Sequence, residues 1–133
     1  MITLNDYLTS SGKYPERAKS PECTAEVILN AKVLLAKINS LLKELGLSDV
    51  KVSSGFRPSG ANAAAGGSKK SNHMLGKACD LSDPNGTIDE LLDESDVLLK
   101  RYGLWQENSE KTIGWAHLDI LDRGKRAKNS FLP

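Results

Sequence analysis

From Glu22 to Leu45 the apolar residues Val27, Ala31, Leu34, Leu35, Ile38, Leu41, Leu42 and Leu45 recur at three- and four-residue steps. That spacing predicts one long helix with a single core-facing stripe. Gly46 is its natural stop, and Ser20-Pro21 reads as an N-cap followed by proline at the first helical position. The residues before it mix polar and turn-forming types around Tyr14-Pro15.

Beyond the helix the pattern shortens. Val50 to Ser54 partly alternates and reads as a strand running into Gly55-Phe56-Arg57-Pro58. Ser59 to Lys70 is small, glycine-rich and without periodicity, which predicts a surface loop; loops of this length in compact domains tend to be functional or disordered. Lys77 to Leu81 reads as a second strand, closed by the turn Asp83-Pro-Asn-Gly86. Thr87 with Glu90 forms a capping box that opens a second helix, whose apolar face is Ile88, Leu91, Leu92, Leu98, Leu99 and Tyr102 and which Gly103 ends. Leu104 to Glu107 and Trp115 to Ile120 read as strands of a hairpin joined by the polar loop Asn108 to Gly114. Two main helices with short strands in mixed order predict an α+β fold around a small, mainly antiparallel sheet.

The chain has 133 residues, the size of one ordinary domain, and residues 1–133 are read as a single unit. Its 18 Lys+Arg against 17 Asp+Glu give a formal net charge of +1, which offers no electrostatic footprint for nucleic acid. No stretch approaches the roughly 18 apolar residues of a membrane span, and the N-terminal segment lacks the layout of a signal peptide. The expectation is a monomeric chain made in the cytoplasm without membrane insertion. Cys23 and Cys79 read as two small buried thiols. A Cys79 thiolate is the alternative metal ligand, but Asp80 beside it fits the spacing better, and adjacent strand residues point to opposite faces.

The only two histidines, His73 and His117, lie at the start of or within predicted strands rather than in a helix stripe. His73 is followed seven residues later by Asp80, and His117 by Asp119. Catalytic zinc usually takes three protein ligands from His and carboxylate and leaves a fourth position for water. Two histidines and one aspartate meet that need. Spacing alone does not settle it, since an isolated histidine is more often a surface or hydrogen-bonded residue than a ligand.

The wording of the segments adds to this. Ser54-Gly-Phe-Arg57, then Asn62, then Ser71-x-His73-x-x-Gly76-x-Ala78-x-Asp80, and finally Trp115-x-His117 resemble, in order and spacing, the zinc peptidases of the D-alanyl-D-alanine carboxypeptidase family. That family is grouped with phage endolysins that cut the L-alanyl-D-glutamate bond and with the zinc-binding fold of the hedgehog signalling domain. The resemblance implies a Zn²⁺ site made by His73, Asp80 and His117, and a substrate in the peptide stems of bacterial peptidoglycan. It further implies that Arg57 faces the substrate, where a guanidinium can grip a carboxylate or steady an oxyanion; a structural ion pair is the alternative. Ser71 matches a substrate-side position, although a loop serine is usually a turn residue. Compact size and the closing segment Arg126 to Pro133 look most like phage- or prophage-encoded members, which act on the wall after release.

One position departs from the family. Three residues before the last ligand, where a glutamate, aspartate or histidine commonly serves as general base, stands Gly114. Glu107, on the other arm of the predicted hairpin, is the leading replacement. Asp119 shares a face with His117 and is either the base, an alternative ligand or a partner that orients the imidazole; Glu110 is a third choice. Without a base, the chain is instead a non-catalytic zinc-containing module of a phage particle. Trp105 and Trp115 read as core or cleft wall. The basic residues Arg123, Lys125, Arg126 and Lys128 read as a solvated end.

Overall fold

The computed structural model describes residues 1–95 and 97–133. It is an α+β fold, as the pattern predicts: a five-stranded, mostly antiparallel sheet packed on one long helix, with short helices around it. Five helices are described, α1 (Leu4–Thr9), α2 (Ala25–Glu44), α3 (Ser59–Ala64), α4 (Thr87–Asp93) and α5 (Leu98–Tyr102), with strands β1 (Val52–Ser54), β2 (Ala78–Asp83), β3 (Trp105–Glu107), β4 (Gly114–Asp119) and β5 (Ser130–Phe131). Among the described residues no helix is long and apolar enough to cross a membrane.

The α2 stripe forms as expected. Val27, Ala31, Leu34, Leu35, Ile38, Leu41 and Leu42 are all buried, and each fully buried aliphatic side chain contributes roughly 1.5–3 kcal/mol of transfer free energy. Its start differs from the prediction. Thr24, whose hydroxyl accepts the Val27 amide, is the N-cap, while Ser20-Pro21 lies in a turn. The proline-at-N1 pattern belongs to Pro15, which opens a 3-10 turn.

The sheet order is β1-β2-β4-β3-β5, with every pairing antiparallel except the parallel β3–β5 contact. Alternation assigns its faces. Cys79 and Leu81 of β2 and Ala116 and Leu118 of β4 point into the core with α2, so Ala78, Asp80, Trp115, His117 and Asp119 share the other face.

Three further expectations change. Ser59 to Ala64 of the glycine-rich stretch is helical, begun where the Glu22 carboxylate accepts the Ser59 amide. The helix expected from Thr87 to Tyr102 is two helices, α4 and α5, and residue 96, between them, lies outside the described residues. The Thr87–Glu90 capping box does not form. Asp83, buried at the end of β2, instead accepts the Ile88 and Asp89 amides at 2.9 and 3.0 Å, so a carboxylate caps the positive end of α4.

Candidate functional site

The sheet register brings the sequence-predicted residues into one line. Ser54 pairs with Asp80, and Asp80 with His117. On β3 the register Trp105↔Asp119, Gln106↔Leu118 continues to place Glu107 beside His117, and Glu107 pairs in turn with Phe131. Ser54, Asp80, His117, Glu107 and Phe131 therefore form a row across all five strands, on the face opposite α2.

His73 reaches this row from the turn before β2. Its amide hydrogen-bonds to the Ser71 hydroxyl, and its carbonyl accepts the Arg57 amide. Ser71 thus serves the turn that delivers His73. Two glycines of the motif are steric necessities. A Cβ on Gly55 would lie 2.0 Å from the Tyr7 carbonyl oxygen, and one on Gly76, at φ +74°, would lie 2.4 Å from the Val27 carbonyl oxygen of α2. The close approach at Gly76 is to helix α2 rather than to the site itself.

His73, Asp80 and His117 each offer a ligand atom within 4.8 Å of the others. His73 Nδ1 lies 2.8 Å from the Gly55 carbonyl, which can only accept. That nitrogen carries the proton, and Nε2 is left facing Asp80 at 3.4 Å. His117 is held from both sides: Nδ1 lies 2.7 Å from Asp80 and Nε2 3.0 Å from Asp119. Asp119 is fully buried and accepts two bonds from the Arg123 guanidinium at 2.7 and 2.9 Å. Of the roles open to Asp119, this geometry matches the orienting partner, with Arg123 behind it.

The donor set fits a divalent zinc-type ion on its own chemistry. Two imidazole nitrogens and one carboxylate converge, and the far nitrogen of each ring already has a carbonyl or carboxylate partner, the outer arrangement that metal-bound histidines use. Without a cation the same atoms settle on each other. Burial works against ionised Asp80, but the hydrogen bond from His117 and the two imidazoles close to it outweigh it and hold the carboxyl well below its ordinary range. Burial also opposes a charged His117, yet the bonds to Asp119 and Asp80 prevail and raise it to about 9.

Arg57 donates from Nε to Ser54 at 2.8 Å and from NH2 to Asp80 at 3.3 Å. It is therefore at the site, and the ion pair weighed as its alternative role is present. Glu107 is half-buried in the row, and burial lifts its carboxyl above the ordinary range, with the Asp80 and Asp119 charges adding to the rise. Glu110 sits exposed in a 3-10 turn. Gly114 is paired with Asp83 at the far end of β4.

Of the two cysteines, Cys79 is buried in the core and Cys23 half-buried; both are free thiols, and Cys79 faces away from Asp80's side of the sheet. Trp105 is buried and Trp115 half-buried on the site face. The basic end is not simply solvated. Arg123 packs on Phe131 at 3.6 Å, and Lys128 donates to the Asp93 carbonyl at 2.7 Å. Sequence reasoning missed Arg123 and Phe131, whose only signal is a cation four residues after Asp119 and an aromatic near the end of the chain.

None of the curated proteins compared with the chain matches it. A family model described as Peptidase M15 matches residues 9–116, a span that holds Arg57, His73, Asp80 and Glu107 and ends one residue before His117. Since that match takes in most of the chain, it settles the relationship: the chain belongs to the peptidase M15 family, that of the zinc D-alanyl-D-alanine carboxypeptidases, and is a metallopeptidase.

Proposed function

We propose that this metallopeptidase is zinc-dependent and hydrolyses a peptide bond in the stem peptides of bacterial peptidoglycan, with His73, Asp80 and His117 holding the ion. The observation that carries the proposal is the row in which Asp80 and Glu107 flank His117 from either side, with His73 facing Asp80. An internal, wall-lysing cut is preferred over removal of a terminal D-alanine. It is supported by the likeness of the compact chain to phage endolysins, which also suggests a phage- or prophage-encoded protein that works on the wall after release.

Bound zinc supplies Lewis acidity and brings the pKa of a water it holds to about 7. The remaining work falls to the chain. Gly55 and Asp119 fix the two imidazole rings through their far nitrogens, and Arg123 fixes Asp119. Glu107 takes the proton of the attacking water and returns it to the leaving amine, and its raised carboxyl suits a group that must do both near neutral pH. Arg57 sits beside Asp80 with guanidinium donors available to the carbonyl oxygen as it gains charge. Ser71, half-buried next to His73, is a further donor to the substrate in this reading.

The test is release of free amino groups from purified peptidoglycan by native protein, by chelator-treated protein restored with zinc, and by Glu107→Gln. Activity lost with chelator, regained with zinc and lowered by about 10²–10⁴ in the variant, whose zinc content is unchanged, is expected. A zinc-loaded native protein that releases nothing would refute hydrolysis and leave the non-catalytic module that Gly114 first suggested.

A further inference from the structure

A cleft of about 480 Å³ opens beside Phe131, lined by Asn108, Arg123, Arg126, Ser130, Phe131 and Leu132. It adjoins the row directly, since the Phe131 ring meets the His117 ring edge-on at 5.7 Å. Among the described residues no acidic side chain lines it, and its polar groups are mainly donors. Asn108 Oδ1 accepts the Glu110 amide, and its NH₂ has no partner among the described residues. The cations near the row differ in one respect. Arg57 is committed to Asp80 and Arg123 to Asp119, whereas Arg126, exposed and held only by a 3.4 Å bond to the Ser130 carbonyl, has no carboxylate partner among the described residues. Its guanidinium stands 5.5 Å from the Trp105 ring, so an aromatic wall backs it.

We propose that this cleft is a subsite for a carboxylate of the substrate, with Arg126 as the residue that binds it. The inference rests on the peptidase reading above and says where along the peptide the anion lies. From β4, which carries His117, to β5 is two strand spacings, about 10 Å, or about three residues of extended peptide. The carboxylate recognised is thus about three residues from the bond cut, not the terminal group next to it. A guanidinium is the apt cation for this, since its planar fork matches a carboxylate in two parallel bonds. The acidic Glu107 lies between this cleft and His117, and the Arg126 guanidinium offsets its repulsion of a bound carboxylate.

The experiment compares native protein, Arg126→Ala and Arg126→Lys on two soluble stem peptides, one with its internal carboxylate free and one with that group as a carboxamide. On the free carboxylate Arg126→Ala is expected to raise KM about tenfold with kcat within about twofold, the pattern of lost uniform binding, and Arg126→Lys to recover part of it. On the carboxamide all three proteins should have equal KM. Equal KM for native and Arg126→Ala on the free carboxylate overturns the subsite. If native protein cleaves neither peptide, the peptidase reading has failed, and calorimetric titration of the same peptides decides the subsite separately. Tighter binding of the carboxylate that Arg126→Ala abolishes upholds it, and indistinguishable binding overturns it.

Discussion

Removing and restoring the metal should reveal a proton trapped on His117. Both ring nitrogens of His117 face carboxylates, Asp80 at 2.7 Å and Asp119 at 3.0 Å, so the ring of the metal-free protein is an imidazolium, with its pKa raised to about 9. A metal takes only the neutral ring. At pH 7, two units below that value, about one ring in a hundred is free of its extra proton, so apparent zinc affinity is about a hundredfold below its limit. It should rise about tenfold per pH unit to near pH 9 and then level off, with about one proton released per zinc bound at pH 7. Asp80 contributes no proton, because its carboxyl is already held well below the ordinary range. The sign reverses for the metal-free fold. A histidine whose pKa is raised on folding adds stability that is complete below the unfolded value of 6.5 and is lost as pH rises through about 9. Metal-free protein should therefore melt at lower temperature at pH 9.5 than at pH 7. Calorimetry in two buffers of different ionisation enthalpy counts the protons, and competition against a chelator gives the affinity. A pH-independent affinity, or release of less than about half a proton, would refute the pinned imidazolium.

Three shorter predictions follow from the same geometry. Asp83→Ala removes the carboxylate that caps α4 and should cost about 1–2 kcal/mol in denaturant unfolding without changing zinc stoichiometry. Arg123→Met frees Asp119 to turn away from His117 and should weaken zinc binding by about 10–100-fold, read by chelator competition, while the far-ultraviolet dichroism stays native. Gly114→Glu, placed in a Glu107→Gln background, should fail to restore amino-group release, because Gly114 pairs with Asp83 on the α4 side of the sheet; recovery to even a tenth of native activity, about 1.4 kcal/mol in barrier, would contradict that placement.

Where the sequence was informative, a strong period or a dense motif lay behind it. The α2 stripe is legible because seven of its positions must meet one core, and they do. The convergence of His73, Asp80 and His117 is legible because the motif fixes residue type and spacing together. Helix α1 is not, since its capping box uses Thr3 and Asp6 rather than a glutamate and its six residues show no full apolar period. The Thr87–Glu90 pair misleads for the complementary reason: Asp83, four residues upstream of Thr87, reaches the amides first. The break between α4 and α5 is local too, as the Ser95 hydroxyl accepts the Val97 and Leu98 amides and starts a new turn inside an apolar pattern that looks continuous. The basic end reads as solvated because charge alone cannot show that Phe131 returns beside β3 to give Arg123 a ring to lie on.

The proposed general base is the case in which a one-dimensional motif fails for a definite physical reason. On β4, residues an odd number apart face opposite sides of the sheet. Position 114 lies three residues from His117 and opposite Asp83, which is turned toward α4. It also has φ +95°, a conformation that resists a side chain. A carboxylate there would need the strand to bulge before it could serve the metal side. Glu107 needs no such distortion, since the β3–β4 register sets it beside His117 on the same face, and burial lifts its carboxyl toward the working range of a base. Losing the acid from one strand is therefore compatible with catalysis when the neighbouring strand supplies it. The register that makes the exchange possible is fixed by pairs such as Gln106↔Leu118, residues that carry no chemistry of their own.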